Sequence, residues 1–141
     1  MAPFAAYTTA VRYGSQVWVS GQLPVRDGQL VATGLVGDTV STEEATLAAE
    51  QAALNAIAAL GSKVDGLSQV AQILKVVVFV ASAPGFDGQG KVANGASELF
   101  GTAFGEFGVH ARSAVGVAAL PLGSSVEVEL VAEVATSGPW S

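Results

Sequence analysis

The side chains best suited to chemistry lie in the last third of the chain. Arg112 is the only lysine or arginine after Lys91, and it directly precedes a strand-like segment at 113–118. Its planar guanidinium can hold a carboxylate through two parallel hydrogen bonds. Glu127 follows in an alternating run and can act on a water or substrate proton as a general acid or base. An arginine and a carboxylate on neighbouring strands would hold a small anion and transfer a proton beside it.

Both residues also have a structural interpretation. A buried arginine needs a partner, so Arg112 can instead form an ion pair with one of the chain's own acids. Glu127 can be an ordinary exposed acid, and Glu129 fits the same alternation equally well. The pattern alone does not choose between the two glutamates.

Other polar residues are weaker candidates. Tyr7 and Ser20 offer hydroxyl groups on the first two predicted strands, and Gly21 allows a ligand to approach the backbone closely. Asn94 belongs to the second predicted helix and can reach a ligand from there. His110 lies two positions before the arginine, but a lone histidine is weak evidence for catalysis. Each of these residues is more often a structural hydrogen bonder, a bend in a strand or a loosened helical turn.

Composition excludes several classes of site. The chain has no cysteine and one histidine, so we expect neither a thiol nucleophile nor a zinc centre. The formal net charge is -6 and the 6 basic residues are scattered, so nucleic acid is not an expected partner. No phosphate-binding loop, dinucleotide fingerprint, nucleophile elbow or HExxH motif is present.

Length and hydropathy favour a single domain over residues 1–141, with residues 136–141 as a C-terminal tail. Hydrophobic residues make up 50% of the chain and charged residues 13%, so we expect a large core and some surface covered by other subunits. The N-terminus lacks a signal-peptide pattern, and the longest apolar run, residues 73–81, is too short to span a bilayer. We therefore expect a soluble cytoplasmic protein without a membrane partner.

Hydrophobic periodicity and turn residues predict the order strand, strand, helix, strand, helix, strand, strand. The first helix begins at a capping box that starts at Ser41, and Leu47, Leu54 and Ile57 recur on its apolar face. The predicted elements are strands 7–13 and 16–20, helix 41–60, strand 73–81, helix 91–107 and a hairpin-like pair over 112–134.

Two helices and one sheet indicate an α+β fold with both helices on a single sheet face. In the last strand the apolar residues, Val126 to Val134 at every second position, are predicted to face these helices. The other face then carries Trp18, Ser20 and Glu127. Because the chain is so hydrophobic, we expect this face to be a partner surface, most simply in a symmetric homo-oligomer.

Several segments resemble a known family. Tyr7 and the segment VSGQLP at 19–24 are similar to the start of the RidA/YjgF (Rid) family. The segments ARSAV at 111–115, ALP at 119–121 and VEVE at 126–129 resemble its C-terminal signature, so the match extends over nearly the whole chain. The resemblance implies a chorismate-mutase-like fold, a mixed sheet with two helices on one face. It also implies a homotrimer with sites in the clefts between subunits.

The resemblance further implies an activity, the cofactor-independent hydrolysis of reactive enamines and imines. Such enzymes convert 2-aminoacrylate-like, carboxylate-bearing substrates to 2-keto acids and ammonia. Arg112 matches the arginine that grips the substrate carboxylate, and Glu127 matches the glutamate that positions water or relays protons. Tyr7 and Ser20 match the family's site tyrosine and serine, with the Gly21 backbone beside them.

The chain also departs from the archetypal members. Residues 4–8 read FAAYT where the family usually has Pro-Gly-Pro-Tyr-Ser, and Ala114 stands where a cysteine is common. The segment at 91–97 is typical of a side branch. The alternative function is a non-enzymatic trimer that binds a small carboxylate, or regulates a partner, in the same cleft. Ribonuclease activity, attributed to some relatives, is disfavoured by the acidic charge.

Overall fold

The computed structural model describes residues 6–135. The predicted tail at 136–141 lies outside these residues. The strands are β1 (Ala10–Tyr13), β2 (Gln16–Gln22), β3 (Val25–Arg26), β4 (Gln29–Leu30), β5 (Val70–Ala81), β6 (Ala111–Val117) and β7 (Val126–Val134). The helices are α1 (Thr42–Gly61) and α2 (Gln89–Phe104), and short 3-10 turns span Leu67–Gln69, Gly105–Gly108 and Pro121–Gly123.

Five strands form one mixed sheet in the order β1-β2-β7-β5-β6, and β3 pairs with β4 in a separate small hairpin. Only β5 and β6 run parallel; the other neighbours in the large sheet are antiparallel. Both helices pack against the same sheet, so the predicted α+β fold is confirmed. The predicted second helix begins two residues earlier than expected and ends at Phe104.

The β6–β7 hairpin expected over 112–134 is wrong. β6 pairs with β5, whereas β7 lies between β2 and β5. The physical reason lies in the connections. A strand followed by a helix and a second strand forms a parallel crossover, and α2 provides that crossover between β5 and β6. Residues 118–125 then carry the chain past β5 to the middle of the sheet.

Helix α1 begins as predicted, but of its predicted apolar face only Ile57 is buried. Ser41 Oγ accepts a hydrogen bond from the Glu44 amide at 3.1 Å, and the Glu44 carboxylate accepts from the Ser41 amide at 3.1 Å, which confirms the capping box. Leu47 and Leu54 are 62% and 44% exposed, so the predicted apolar face is wrong for these two residues. The buried face instead consists mainly of alanines: Ala45, Ala48, Ala49, Ala52, Ala53 and Ala56.

Small residues allow α1 and α2 to approach closely. A Cβ built on Gly95 of α2 would lie 2.1 Å from the backbone oxygen of Thr46 on α1, so the glycine is required by the helix contact. Because the side chains at this contact are small, the two helix backbones come close together and bury the apolar surface between them. The position of α2, which carries part of the candidate site, therefore depends on this contact.

The two faces of the sheet differ sharply. In β7 the residues at positions 126, 128, 130, 132 and 134 are buried under the helices, as the alternation predicted. The opposite face, here called the open face, has no helix of this chain on it within residues 6–135 and carries exposed apolar side chains, including Val11, Trp18 and Val115. Neither α1 nor α2 is a long enough apolar segment to cross a membrane.

Candidate functional site

Arg112 lies on β6, the strand at one edge of the sheet, and its side chain is on the helix side. Its Cα is paired with that of Val76 on β5, whose side chain is fully buried beneath the helices. From there the guanidinium reaches α2. Nη1 donates to Asn94 Oδ1 at 2.8 Å and to Ser97 Oγ at 3.2 Å.

These partners are informative because both are neutral. The structural ion pair that sequence left open for Arg112 is not found among residues 6–135: Nη1 is held by an amide and a hydroxyl, and no hydrogen bond from Nε or Nη2 is found there. The side chain is exposed, so its charge can attract an anion from solvent. A Cβ built on Gly90, in the first turn of α2, would stand 3.6 Å from Nη2, at ordinary contact distance.

Ser97 and His110 extend the contacts of Arg112 into a chain of hydrogen bonds. Ser97 Oγ lies 2.9 Å from His110 Nε2, and His110 Nδ1 lies 2.6 Å from the Gly108 carbonyl oxygen. Together with Arg112 and Val109, these residues line a depression of about 260 Å³. Sequence reasoning missed Ser97. The available signal was its spacing, because a residue three positions after Asn94 lies on the same side of a helix.

Glu127 lies on β7 with its side chain toward the open face. Its Cα is paired with that of Phe79 on β5, and the β7 residues on either side of it are buried under the helices. A Cβ built on Gly21 would lie 2.6 Å from both Cδ and Oε2 of Glu127. Gly21 belongs to an irregularity in β2 between Val19 and Gln22, so the missing side chain makes room for the carboxylate.

The environment of Glu127 makes its carboxyl group easier to protonate than an exposed one. Partial burial raises the pKa of Glu127 above its usual range, and the nearby charge of Glu129 raises this pKa further. A raised pKa makes a carboxyl group better suited to accept a proton and return it. Glu129 itself lines a depression on the open face with Trp18 and Lys75. The two glutamates that the sequence could not separate are thus distinguished by their surroundings.

The remaining predicted residues are divided between the two faces. Asn94 contacts Arg112 directly. Ser20 donates its hydroxyl proton to the Thr9 carbonyl at 3.0 Å, a structural bond that leaves the oxygen as an acceptor. Tyr7 precedes β1 and is 56% exposed. No group of three or more histidine, aspartate or glutamate residues suited to a metal ion occurs within the described part of the chain.

One chain does not bring Arg112 and Glu127 together. The expectation that they occupy neighbouring strands is wrong, because β5 lies between β6 and β7. Their side chains also leave opposite faces of the sheet: Val76 and Leu130, on the same row as Arg112, are buried under the helices, whereas Glu127 points to the open face. Each residue therefore belongs to a separate half-site within the chain.

Similarity to known proteins identifies the family of this chain. The family model described as Endoribonuclease L-PSP matches residues 1–134. The chain belongs to the RidA/YjgF family. This assignment confirms the resemblance inferred from the sequence and is consistent with a role in small-molecule processing or regulation.

Individual relatives agree with the family assignment. Protein TCP17 of Trypanosoma cruzi is 43% identical over 133 residues, which cover 94% of this chain and 83% of that protein. The crystal structure of Atu1372, a protein of unknown function from Agrobacterium tumefaciens, has a TM-score of 0.90 and 43% identity over 92% of this chain and 82% of that one. The YjgF gene product of E. coli has a TM-score of 0.66 and 27% identity, covering 94% and 91% of the two chains.

Proposed function

We propose that the protein is a cofactor-independent deaminase. It would hydrolyse small, carboxylate-bearing enamines and imines, such as 2-aminoacrylate, to 2-keto acids and ammonia. The observation that carries the proposal is the Arg112 guanidinium, which is exposed and anchored from Nη1 by the neutral side chains of Asn94 and Ser97. An arginine held in this way keeps its full charge for a ligand, and its fork suits a carboxylate.

The first turn of α2 supports binding of an anion beside Arg112. Gly90 lies in this turn close to Nη2, and without a Cβ it leaves space there. The N-cap residue is Gly88, which has no side chain, so the first amides of α2 receive no side-chain cap. Such amides and the helix dipole favour negative charge.

Glu127 would supply the proton transfers. An imine carbon is already electrophilic, so binding has to orient it toward a water molecule. As the water oxygen bonds to this carbon, one water proton passes to the Glu127 carboxylate. The electron pair of the carbon–nitrogen double bond moves to nitrogen, which receives this proton from Glu127, so that a carbinolamine forms. Glu127 then transfers the hydroxyl proton of the carbinolamine to the amino group; the carbonyl forms as the carbon–nitrogen bond breaks, and ammonia leaves a 2-keto acid. An enamine such as 2-aminoacrylate first becomes the imine by gaining a proton at its methylene carbon and losing one from nitrogen. The raised pKa of Glu127 suits both the acceptance and the return of the proton.

A complete site of this kind requires two subunits, because Arg112 and Glu127 lie on opposite faces of the sheet in one chain. We propose a homotrimer in which Arg112 of one subunit meets Glu127, Ser20 and Gly21 of its neighbour. The apolar side chains on the open face support an interface there. Trp18 and Val11, for example, are 54% and 52% exposed in the single chain.

The decisive experiment compares the wild type with Arg112→Ala and a matched control, Arg26→Ala. Arg26 is an exposed arginine of the small β3–β4 hairpin, remote from the candidate residues in the topology. Each protein receives 2-aminoacrylate generated enzymatically, and ammonia and pyruvate release are measured. We expect turnover by the wild type and the control, and a loss of roughly 100-fold or more in Arg112→Ala, because charge-assisted hydrogen bonds disappear. Equal turnover by all three proteins would refute the arginine's role.

A binding protein without catalysis is the second candidate function. The observation in its favour is that the Arg112, Asn94 and Ser97 cluster is complete without Glu127. In that case small carboxylates would raise the melting temperature of the wild type, and no imine would be turned over. RNA cleavage has less support, because the chain carries a net charge of -6 and its 6 basic residues are scattered.

A further inference from the structure

Ser97 anchors Arg112 in the proposed site, but its contact with His110 has no role in the reaction described above, although both residues line the Arg112 depression. The hydrogen bonds around this pair determine which atom donates and which accepts. The Gly108 carbonyl oxygen can only accept, so His110 Nδ1 carries a proton and donates to it. In the neutral imidazole Nε2 then has a lone pair, and it must accept the hydroxyl proton of Ser97.

In this arrangement Ser97 has no hydroxyl proton left to donate to an anion. Its only hydroxyl proton points to His110, and its oxygen accepts from Arg112 Nη1 at 3.2 Å. A carboxylate that arrived at Arg112 would therefore meet a lone pair of Ser97. Because a carboxylate offers no donor, that contact cannot become a hydrogen bond.

Protonation of the imidazole reverses this polarity. With both ring nitrogens protonated, Nε2 donates to Ser97 Oγ, while Nδ1 keeps its bond to Gly108. The Ser97 hydroxyl proton is then released and can point to a carboxylate on Arg112. Ser97 changes from an acceptor to a donor at the site without moving a heavy atom.

We propose that binding of a small carboxylate at Arg112 is coupled to proton uptake by His110, with Ser97 as the connecting hydroxyl. The proposal rests on the carboxylate-binding role of Arg112 and adds a positioning role for Ser97 and His110. One proton is taken up on the imidazole as the ligand binds, and no covalent bond changes. The consequence is a site whose affinity increases as the pH falls.

The surroundings of His110 support coupling to this one site. The Phe100 ring packs edge-on against the imidazole, with 5.6 Å between the two ring centroids. Gln72 of β5 donates to the Val109 carbonyl and thereby fixes the segment before His110. The charged group that faces the network is Arg112 on β6, which donates to Ser97. On the other packed elements, Lys75 of β5 donates to Ser113, and the remaining charged side chains, Lys91 and Glu98 of α2 and Glu106 of the 3-10 turn, are exposed.

The test uses pyruvate, whose carboxyl group stays ionised across the titrated range. Its affinity for the untagged protein is measured by calorimetry from about pH 6 to about pH 8. We expect the wild-type affinity to increase as the pH falls, by at most about tenfold per pH unit because one proton is involved. His110→Gln, which keeps a polar side chain, should bind with an affinity that does not change with pH. Ser97→Ala should retain only the weaker, through-space part of the coupling.

The protonation of His110 can be measured directly, because His110 is the only histidine in the chain. The nuclear magnetic resonance signal of the imidazole in the untagged wild type needs no assignment. Saturating pyruvate should move its titration midpoint to higher pH, and less so in Ser97→Ala. Binding that is lost in Arg112→Ala but independent of pH, with an unmoved imidazole titration, would overturn the coupling and leave the proposed function intact. Failure of the wild type to bind pyruvate at any pH would remove both.

Discussion

The helix side and the open face of one sheet present two different kinds of polar site. On the helix side, Arg112 is exposed and held by neutral hydrogen-bond partners on α2. On the open face, Glu127 is half-buried against the Gly21 backbone, and its pKa is raised. The first site is suited to attracting a charged ligand, and the second to exchanging a proton. We therefore propose that binding and proton transfer belong to separate surfaces, which only an assembly would bring together.

The largest expected effect separates proton transfer from binding. Glu127→Gln keeps the size of the side chain and removes its ability to take a proton. We expect turnover of 2-aminoacrylate to fall by roughly 100- to 10,000-fold, the usual contribution of a general acid–base group. Pyruvate affinity should change little, whereas Arg112→Ala should lose it. Steady-state kinetics and calorimetry on both variants provide the measurement. Equal loss of binding in the two variants would contradict the division between the faces.

Subunit mixing tests whether the two faces meet across an interface. Arg112→Ala and Glu127→Gln are each expected to be inactive, but in the proposed assembly a mixed trimer would contain some clefts with both native residues. Random assembly from equal amounts should restore about one quarter of the wild-type activity, because each cleft needs two independent choices. The variants are co-expressed, and the whole trimer population is purified and assayed without separating mixed from unmixed trimers.

The control mixes Arg112→Ala with the double variant, Arg112→Ala combined with Glu127→Gln. No cleft in these trimers has both residues, so activity should stay at the level of the inactive parents. If the first mixture also stays at that level, Arg112 and Glu127 do not act together across an interface.

Local patterns in the sequence predicted the fold better than they predicted the site. The Ser41 capping box and the alternation in β7 depend on neighbours within a few residues, and both are confirmed. The exposure of Leu47 was not predictable from periodicity alone, because alanines fill the tight space between α1 and the sheet. The contact of Arg112 with Asn94 depends on the parallel pairing of β5 and β6, a long-range choice that the segment 112–134 does not encode locally.

A moderate effect is expected at Gly21, which lies so close to Glu127 that a side chain there would meet its carboxyl group. Gly21→Ala would place a Cβ 2.6 Å from the Glu127 carboxyl, so either the carboxylate or β2 must shift. We expect a loss of about 1–3 kcal/mol in the free energy of unfolding, as for other overpacked sites, together with reduced turnover. Gly61→Ala is the matched control, since its new Cβ would meet only Leu67 Cδ2 at 3.7 Å. Chemical denaturation compares the two variants, and similar stabilities would show that β2 accommodates the methyl group freely.

The smallest effect concerns pH and stability. Because burial and then Glu129 raise the pKa of Glu127 in the folded protein above its ordinary value of 4.5, the unfolded chain binds fewer protons in the interval between the two pKa values. Stability therefore falls as the pH rises through this interval, and the penalty persists at neutral pH. Glu127→Gln removes the titrating group. The variant should gain stability relative to the wild type as the pH rises above 4.5, and the difference should vanish at lower pH.

Glu129→Gln sharpens the same measurement. It removes the second cause of the shift but leaves the burial of Glu127, so the pH-dependent penalty should shrink without disappearing. Denaturation curves of the three proteins at a series of pH values give the comparison. If the wild type and Glu127→Gln show parallel stability profiles from acid to neutral pH, the carboxyl titrates normally. Glu127 would then lack the environment that distinguishes the open face from the Arg112 side.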